Sequence, residues 1–347
     1  MVHAPPIGLD RTKLFIRAPR LECRRCKQVS NAVLPNVVPR CNYTKSFARL
    51  AIDLRKMMTT LDVSRYLGVS DTMIRSIDKK YLQKKVGKPR LRDLEIIAID
   101  EIYVGRRNKF LTIVIDWQTG AIVFAGDGKG EKALKPFWKR LRGSRAKIKA
   151  VATDMSSAYF AAVIKNLPKA KQVFDRFHII KLMNEKLTEL RRTLHAEAEQ
   201  MDKKVLKGIR WLLLKHRDNL DESKNERARL EEALALNQAL ATAYYLKEDL
   251  SQIWQQRDKV SAGKFLTDWC RRARASGIKV LMTMAKTLQA HRTGILNWYD
   301  FPISNGPLEG INNKIGALQR MAYGYRDIEY FTYKLYALHF AKFALIS

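Results

Sequence analysis

Two aspartates lie within or at the end of apolar runs, where a carboxylate is unfavourable unless it has a partner or a function. Asp100 lies in the middle of the apolar run IIAIDEIYV, and Asp154 ends the run KIKAVATD. Burying an unpaired charge costs several kcal/mol, so Asp100 must be paired, bind a metal or line a cleft. Its neighbour Glu101 is expected on the opposite face of the same strand, since side chains alternate along a strand. Both aspartates are therefore candidates for chemistry.

A third acid, Glu309, lies in the stretch SNGPLEGINNKI. If Pro307 is the first helical residue, an acid at this position suits the helix dipole and can close a capping box. Glu309 belongs to a polar stripe whose other members are Asn305, Asn312, Asn313, Gly316 and Arg320. An apolar stripe comprises Ile311, Ile315 and Leu318. The second explanation is a helix face turned towards phosphates and a metal. In that case Asn305 and Asn312 would be accessory residues, and Lys314 and Arg320 would contact DNA. The residues of this helix alone leave both explanations open.

The three acids together favour catalysis. Two carboxylates on adjacent strands and a third on a following helix can hold two divalent metal ions about 3.5–4 Å apart. One ion would activate water or a 3′-hydroxyl, and the other would stabilise the leaving oxygen. Hard oxygen ligands favour Mg²⁺ or Mn²⁺ over zinc. The sequence therefore predicts phosphoryl transfer at Asp100, Asp154 and Glu309.

The charge of the chain points to a polyanionic partner. Sixty-five Lys and Arg residues face 34 Asp and Glu residues, which leaves a net charge of +31 over 347 residues. Nucleic acid is the first candidate and an anionic membrane surface the second. The membrane is disfavoured because no apolar run approaches the length of about 18 residues that spanning requires. Four cysteines and no secretory signal fit a reducing cytoplasm.

A helix-turn-helix is predicted between Lys45 and Leu82. A first helix covers FARLAIDLRKMM, Thr60 caps a second helix that ends at Leu67, Gly68 supplies the turn, and Ser70 caps a third. The third helix would enter the major groove with its first turns. The residues expected to face DNA are Thr72, Arg75, Lys79 and Lys80. A plain three-helix packing unit is the alternative.

A cysteine pair, Cys23 and Cys26 in LECRRCKQ, precedes that unit with a spacing common among zinc ligands. A structural zinc ion needs four ligands, and His3 and Cys41 are the nearby extras. The pair is therefore either half of a zinc ribbon or two ordinary thiols on a hairpin.

From Glu95 onwards the order of elements predicts a mixed α/β sheet. Three β-rich runs are followed by helix, strand, helix, strand and helix, which is the order of the RNase H-like fold. In that order the first and fourth strands are neighbours. Residues 181–291 have a helical pattern throughout, which predicts an insertion, a separate helical domain, or both. Trp211 and Trp254 are the candidates there for stacking on unpaired bases, although a tryptophan in a helix more often belongs to a core.

These features together resemble bacterial insertion-sequence transposases of the DDE class, close to the ISL-three family. The matching stretches are IAIDEIYVG, VATDMSSAY, VFDRFHIIK and SNGPLEGINNKI, preceded by the cysteine pair and the helix-turn-helix. The resemblance implies Asp100, Asp154 and Glu309 as catalytic acids that hold Mg²⁺, with Asp175 and His178 as an accessory pair. It also implies terminal-repeat and target DNA as partners, a dimer or higher assembly in the synaptic complex, and a place beside the bacterial nucleoid. Members of the family usually carry a complete four-ligand zinc ribbon, and this chain departs from that pattern.

The expected domains are a partial zinc-ribbon-like segment at 1–42, a helix-turn-helix domain with its linker at 43–93, a catalytic core at 94–180, a helical insertion at 181–300, and C-terminal helices at 301–347 that complete the core.

Three functions fit parts of this pattern. A transposase needs the three acids and a DNA-binding domain. A non-catalytic DNA-binding remnant or regulator needs the DNA-binding domain alone, and an RNase H-like nuclease needs the acids without a domain that binds terminal repeats.

Overall fold

The computed structural model of the chain describes residues 1–105, 109–198, 200–303 and 306–339, with the side chains of 200–203, 306, 307 and 309 left out. The strands are β1 (Val2–Ile7), β2 (Asp10–Leu14), β3 (Arg20–Glu22), β4 (Val29–Asn31), β5 (Ile96–Tyr103), β6 (Phe110–Asp116), β7 (Ile122–Asp127), β8 (Ala150–Thr153) and β9 (Lys171–Phe174). The helices are α1 (Lys45–Leu54), α2 (Thr60–Leu67), α3 (Asp71–Val86), α4 (Glu131–Arg142), α5 (Ser157–Asn166), α6 (Arg176–Glu197), α7 (Gln200–Gly208), α8 (Glu226–Leu236), α9 (Gln238–Leu250), α10 (Lys259–Ala275), α11 (Lys279–Ala290), α12 (Arg292–Leu296), α13 (Gly306–Met321) and α14 (Ile328–Ala337).

Five strands form one mixed sheet in the order β7-β6-β5-β8-β9. β6 and β7 pair antiparallel, whereas β8 runs parallel to both β5 and β9. The expected adjacency of the first and fourth strands, β5 and β8, is confirmed. β8 is buried along its whole length, as an apolar central strand of a sheet covered by helices must be. The chain is thus a mixed α/β protein with many additional helices.

Two compact units divide the described residues. One comprises Met1–Asp93, Glu101–Arg145 and the chain from Leu308 onwards, and the other comprises Leu94–Asp100 and Ala146–Pro307. The second unit contains the long helical region, and its described residues between 176 and 299 form helices and no strand. A single apolar core fills this region, with Trp254 and Trp269 among its buried members.

The helix-turn-helix is present, with one correction to its caps. The N-cap of α2 is Thr59, whose hydroxyl accepts a hydrogen bond from the Asp62 N–H, and Thr60 is the first helical residue. Two adjacent threonines offer the same capping oxygen, so the sequence could not separate them. Gly68 adopts a φ of +64° at the turn, and Ser70 caps α3 as predicted.

Helix α6 begins earlier than the sequence pattern indicated. We expected a start near Ile179, but the helix begins at Arg176, because the Asp175 carboxylate accepts the Phe177 N–H at 2.9 Å and caps it. The first turn carries Phe177 and His178 instead of a run of aliphatic residues, and this hid the start. The consequence is that Asp175 lies at the junction of β9 and α6.

Two small hairpins precede the helix-turn-helix. β1 and β2 pair antiparallel around an irregularity between Ala4 and Ile7, which accommodates the two prolines of the sequence APPI. β3 and β4 form the second hairpin. None of the helices in the described residues combines the length and apolar character that a membrane-spanning helix requires.

Candidate functional site

Asp100 and Asp154 lie at the same level of two adjacent parallel strands. Ala98 of β5 pairs with Ala152 of β8, and each aspartate follows its alanine by two residues. Side chains two residues apart share a face of a strand, so this register, continued one residue past the end of β8 at Thr153, would direct both carboxylates to one side of the sheet. Both residues are half-buried. The carboxyl ends of parallel strands are where open α/β sheets bind their ligands.

Asp175 extends this row to the third parallel strand. It directly follows β9, and its N–H donates to the Thr153 carbonyl at 3.2 Å. Burial raises the pKa of the Asp175 carboxyl, and the negative charge of Asp100 raises it further, against the opposing effects of the Phe177 N–H and of His178. Asp100 and Asp175 therefore interact electrostatically. The row of Asp100, Asp154 and Asp175 is called the aspartate row below.

A buried hydrogen-bond chain fixes the strand end that carries Asp154. Gln172 Nε2 donates to Thr153 Oγ1 at 2.8 Å, and Thr153 Oγ1 donates to the Asp154 carbonyl at 2.9 Å. Asn297 Nδ2 donates to the Gln172 carbonyl at 2.9 Å, and Asp154 Oδ1 accepts the Ser156 N–H at 3.0 Å. Sequence reasoning missed Gln172 and Asn297. The one signal for Gln172 was a polar residue inside a short apolar strand.

The predicted accessory pair is close in space. The His178 Nε2 atom lies 3.7 Å from Asp175 Oδ2, with Asp175 buried and His178 half-buried. Asp175 also caps α6, so the pair has a structural role at the start of that helix as well as a place beside the aspartate row. The geometry suits an acid that fixes the orientation of an imidazole.

The helix that carries Glu309 has the two faces expected of it. The apolar stripe, Ile311, Ile315 and Leu318, is buried. The polar face has exposed Asn312, Asn313, Lys314 and Arg320. Glu309 is the fourth residue of α13, which begins at Gly306 and not at Pro307. The Glu309 side chain and the whole of Asn305 lie outside the described residues.

The donors at the strand ends have the chemistry of a site for a hard divalent ion, since they are carboxylate oxygens at buried or half-buried positions. Among the described side chains, no three His, Cys, Asp or Glu residues form a group able to hold a metal. The aspartate row does not form such a group by itself.

The residues predicted to face DNA on α3 divide into two groups. Thr72, Arg75 and Lys80 are exposed, and Arg75 pairs with Asp71 one turn earlier at 2.9 Å. Lys79 was expected to be exposed, and this was wrong. Its ammonium lies 2.8 Å from both Asp327 and Glu329 at the start of α14, so it is half-buried in an ion-pair cluster.

The cysteine pair lies on the hairpin of β3 and β4. Cys23 and Cys26 are both exposed, and N–H groups of Cys26 and Arg25 lower the pKa of the Cys23 thiol. His3 and Cys41, the other zinc ligands considered, make other contacts in the described chain. The ring of His3 packs at 5.8 Å from that of Phe47, and the Cys41 sulfur accepts from Lys80 Nζ at 3.6 Å.

Trp211 and Trp254 differ in exposure. Trp254 is buried in the helical core, so it is not available for stacking on a base. Trp211 is 65% exposed, and the Arg210 guanidinium lies 4.6 Å from the centre of its ring. Trp211 remains a candidate for that role.

Comparison with known proteins adds an independent finding. The family model for DDE transposases of the ISL3 type, described as "Transposase", matches residues 97–335. The transposase for insertion sequence element IS1001 of Bordetella parapertussis is 31% identical over 336 residues, which are 96% of this chain and 82% of that protein. The transposase for insertion sequence element IS1557 of Mycobacterium tuberculosis is 29% identical over 263 residues, which are 69% of this chain and 58% of that protein. Among solved structures, a chain of the Drosophila P element transposase strand transfer complex aligns with a TM-score of 0.43 at 12% identity, covering 85% of this chain and 91% of that chain.

Proposed function

This chain belongs to the ISL3 family of DDE transposases, a class of enzymes, and we propose that it binds the terminal inverted repeats of an insertion sequence and cleaves and joins DNA with Asp100, Asp154 and Glu309. The observation that carries the proposal is the register of β5 and β8. It sets Asp100 and Asp154 at one level of adjacent parallel strands, where carboxylates repel unless cations lie between them.

The architecture supports an RNase H-like catalytic core. The sheet order β7-β6-β5-β8-β9, with an antiparallel pair at one edge, is the order expected of that fold. In this proposal residues 94–180 and 301–347 form the core and residues 181–300 are a helical insertion. Residues 43–93 are the helix-turn-helix domain with its linker, and residues 1–42 are a zinc-ribbon remnant around Cys23 and Cys26.

The three acids would act by position and charge. DDE transposases use divalent metals, and Mg²⁺ or Mn²⁺ bound here would supply the positive charge that activates the attacking hydroxyl and stabilises the leaving oxygen. Asp100 and Asp154 would hold it from the sheet, and Glu309 from α13. The chain through Gln172 and Thr153 keeps the Asp154 strand end fixed, which preorganises that carboxylate.

The remaining site residues would support binding and order. Asp175, next to Asp100 in the aspartate row, would orient His178. Asn312, Lys314 and Arg320 would contact the DNA backbone from the exposed face of α13, with Asn305 just before that helix. Thr72, Arg75 and Lys80 would contact the terminal repeat from α3. Two ends must be held together for joining, so the active form is expected to be a dimer or larger.

The first test separates chemistry from binding. We expect the wild type to nick a duplex of its own element end when Mg²⁺ is added, and Asp154→Asn and Glu309→Gln to nick at least 10²-fold more slowly, on the order of what loss of one electrostatic contact costs. Both variants should bind the same duplex with affinity equal to or above that of the wild type, because each removes a negative charge near phosphates.

The matched control is Glu101→Gln. Glu101 is adjacent to Asp100 in the sequence, and its carboxylate lies 3.5 Å from the ammonium of Lys129. Full nicking by this variant shows that loss of a carboxylate directly beside the proposed catalytic Asp100 is not itself damaging. Equal loss of nicking and binding in Asp154→Asn would contradict the catalytic assignment. Binding without nicking in the wild type would favour the second candidate, a non-catalytic DNA-binding remnant or regulator.

A further inference from the structure

Helix α13 ends in a hydrogen-bond pattern that ordinarily selects glycine. The Gly324 N–H donates to the Gln319 carbonyl at 2.9 Å, and the Tyr323 N–H donates to the Arg320 carbonyl at 3.1 Å. These two bonds define a Schellman motif, in which Tyr323 occupies the position just after the helix. Its φ is +49°, in the left-handed region that glycine adopts without cost. A tyrosine there costs free energy because its Cβ crowds the following carbonyl oxygen.

The Tyr323 side chain gains no compensation from the fold. It is fully exposed, whereas Tyr325, two residues later, packs flat against Phe331 with 4.6 Å between the ring centres. The segment is nevertheless held firmly, since the Gln319 side chain donates to the Tyr103 carbonyl at 2.8 Å. An aromatic ring is thus exposed at a strained backbone position next to an anchored helix end. Strain of this kind, when the surrounding structure maintains it, is characteristic of functional positions.

The surroundings of Tyr323 are cationic. Arg320 and Arg326 flank it in the sequence, and both are exposed. Neither is ion-paired with a residue that the structure describes. The nearest acid along the chain, Asp327, is already engaged, with the Lys79 ammonium 2.8 Å from its carboxylate. The two arginines beside the exposed ring are therefore available to bind phosphates.

Tyr323 follows the C-terminal end of α13, a helix anchored to β5 by a side-chain hydrogen bond. Helix α13 carries Glu309, and Gln319 of the same helix bonds to the carbonyl of Tyr103, the last residue of the strand that carries Asp100. An aromatic side chain between arginines can stack on a base of any sequence while the arginines hold the adjoining phosphates. Inserted or stacked side chains of this kind unstack a base step of duplex DNA.

We propose that Tyr323 stacks on a base displaced from the helix of the element-end DNA, with Arg320 and Arg326 on the flanking phosphates. The inference rests on the proposed function, because it requires that the chain binds element-end DNA. The inference assigns a DNA contact to a residue outside the catalytic acids. It also explains why a strained tyrosine occupies a position where glycine would fit better.

The experiment uses the full-length chain without divalent metal, so that nothing is cleaved. Duplexes of the element end carry 2-aminopurine at successive positions along their length, and its fluorescence rises when a base leaves the stack. We expect the wild type and Tyr323→Phe to raise the fluorescence at one or two positions. Tyr323→Gly should leave it at the level of the free duplex. The affinity of Tyr323→Gly for a duplex with one unpaired base there should fall roughly 5- to 150-fold.

The melting temperature provides the second measurement. Because glycine relieves the left-handed strain, Tyr323→Gly should melt at the same temperature as the wild type or higher. Loss of the fluorescence signal together with unchanged or increased stability is the expected result. Tyr245→Ala, at an exposed tyrosine of the other compact unit, should change neither the signal nor the affinity.

Four outcomes would overturn the inference. A wild type that binds the element end without raising fluorescence at any position, or a Tyr323→Gly protein that keeps the signal, contradicts stacking while leaving the proposed function standing. A clear drop in the melting temperature of Tyr323→Gly would show that the tyrosine stabilises the fold, which would explain its position without DNA. A wild type that does not bind the element end refutes the proposed function and this inference together.

Discussion

Arg75 and Lys79 are cations one turn apart on α3, yet their surroundings give them different roles. The Arg75 side chain is 46% exposed and pairs with Asp71 of the same helix, a contact that DNA can replace at little cost. The Lys79 ammonium lies between Asp327 and Glu329, which raise its pKa through hydrogen bonds. Lys79 is therefore a residue that docks α14 on α3, and Arg75 remains a candidate for reading DNA.

The two residues give a paired prediction. Arg75→Ala should weaken binding of the terminal repeat by about 1–3 kcal/mol and leave the free energy of unfolding nearly unchanged. Lys79→Met should lower the free energy of unfolding by about 0.5–1 kcal/mol and affect binding less, because its charge is already neutralised. Titration of a labelled repeat and urea denaturation measure the two quantities. Equal effects on binding would remove the distinction between the two residues, and an unchanged footprint of Arg75→Ala would exclude α3 from recognition.

At the scale of elements, a buried charge cluster joins the helix-turn-helix to the last helix. The Asp78 carboxylate of α3 accepts from the Tyr330 hydroxyl at 2.6 Å and lies 2.7 Å from the Lys334 ammonium, both on α14. The Arg55 guanidinium, just after α1, lies 3.5 Å from the same carboxylate. All four side chains are buried, so each charge depends on the others.

Acid should loosen this junction. Burial by itself would raise the pKa of Asp78, but the charges of Lys334 and Arg55 outweigh it, and the pKa lies below its ordinary value. A carboxylate whose pKa is lowered in the folded state stabilises the fold above its unfolded pKa, near 4, and loses that contribution as the pH falls through the folded value. The contribution of Asp78 is thus complete at neutral pH and is lost between about pH 4 and its lowered folded value.

The corresponding variant is Asp78→Asn. We expect it to lower the free energy of unfolding by about 3–5 kcal/mol at pH 7, because it leaves Lys334 and Arg55 buried without their counter-charge. The gap between wild type and variant should narrow once the pH falls below 4. Denaturation at several pH values provides the measurement, and Asp71→Asn, at the exposed pair with Arg75, is the control. A gap that stays constant with pH would show that the charge of Asp78 is not what stabilises the junction.

What the sequence predicted at this scale follows from local rules. Ser70 and Gly68 marked their helix ends because capping and left-handed turns depend on neighbouring residues. The adjacency of β5 and β8, and hence of Asp100 and Asp154, followed from the order of elements. Lys79 could not be placed, because its partner Asp327 lies 248 residues away along the chain.

The same limit applies to the tryptophans and to the start of α6. Trp211 and Trp254 have similar helical contexts, and only the packed core shows which of them is buried. Asp175 was identified through a family resemblance, whereas its double position as cap of α6 and neighbour of Asp100 needed coordinates. Gln172 was missed altogether because a lone glutamine in a strand gives no local signal of the chain of hydrogen bonds below Asp154.

At the scale of the whole molecule, the positive charge is concentrated where the proposed DNA contacts lie. Residues 1–90 contain 20 Lys or Arg and 6 Asp or Glu, a net +14 of the +31 total. In the helical region, by contrast, many cations are paired at close range, such as Arg272 with Asp249 and Asp268. A paired cation contributes less to binding a phosphate, because its partner must first be displaced. Residues 1–90 are therefore expected to supply much of the electrostatic affinity for DNA.

The salt dependence of binding tests this distribution. Each phosphate contact releases counterions, so the logarithm of the affinity should fall with the logarithm of the salt concentration with a slope of about −0.9 per contact. Lys80→Gln removes an exposed cation from α3 and should reduce the steepness of the slope by about 1. Lys56→Gln is the matched control, since the Lys56 ammonium already lies 2.6 Å from the Asp53 carboxylate and should leave the slope almost unchanged. Fluorescence anisotropy with a labelled terminal repeat at several salt concentrations gives both slopes. If the two variants have the same slope as the wild type, the contacts of α3 do not contribute to phosphate binding, and the affinity of the chain must come from the cations of its other elements.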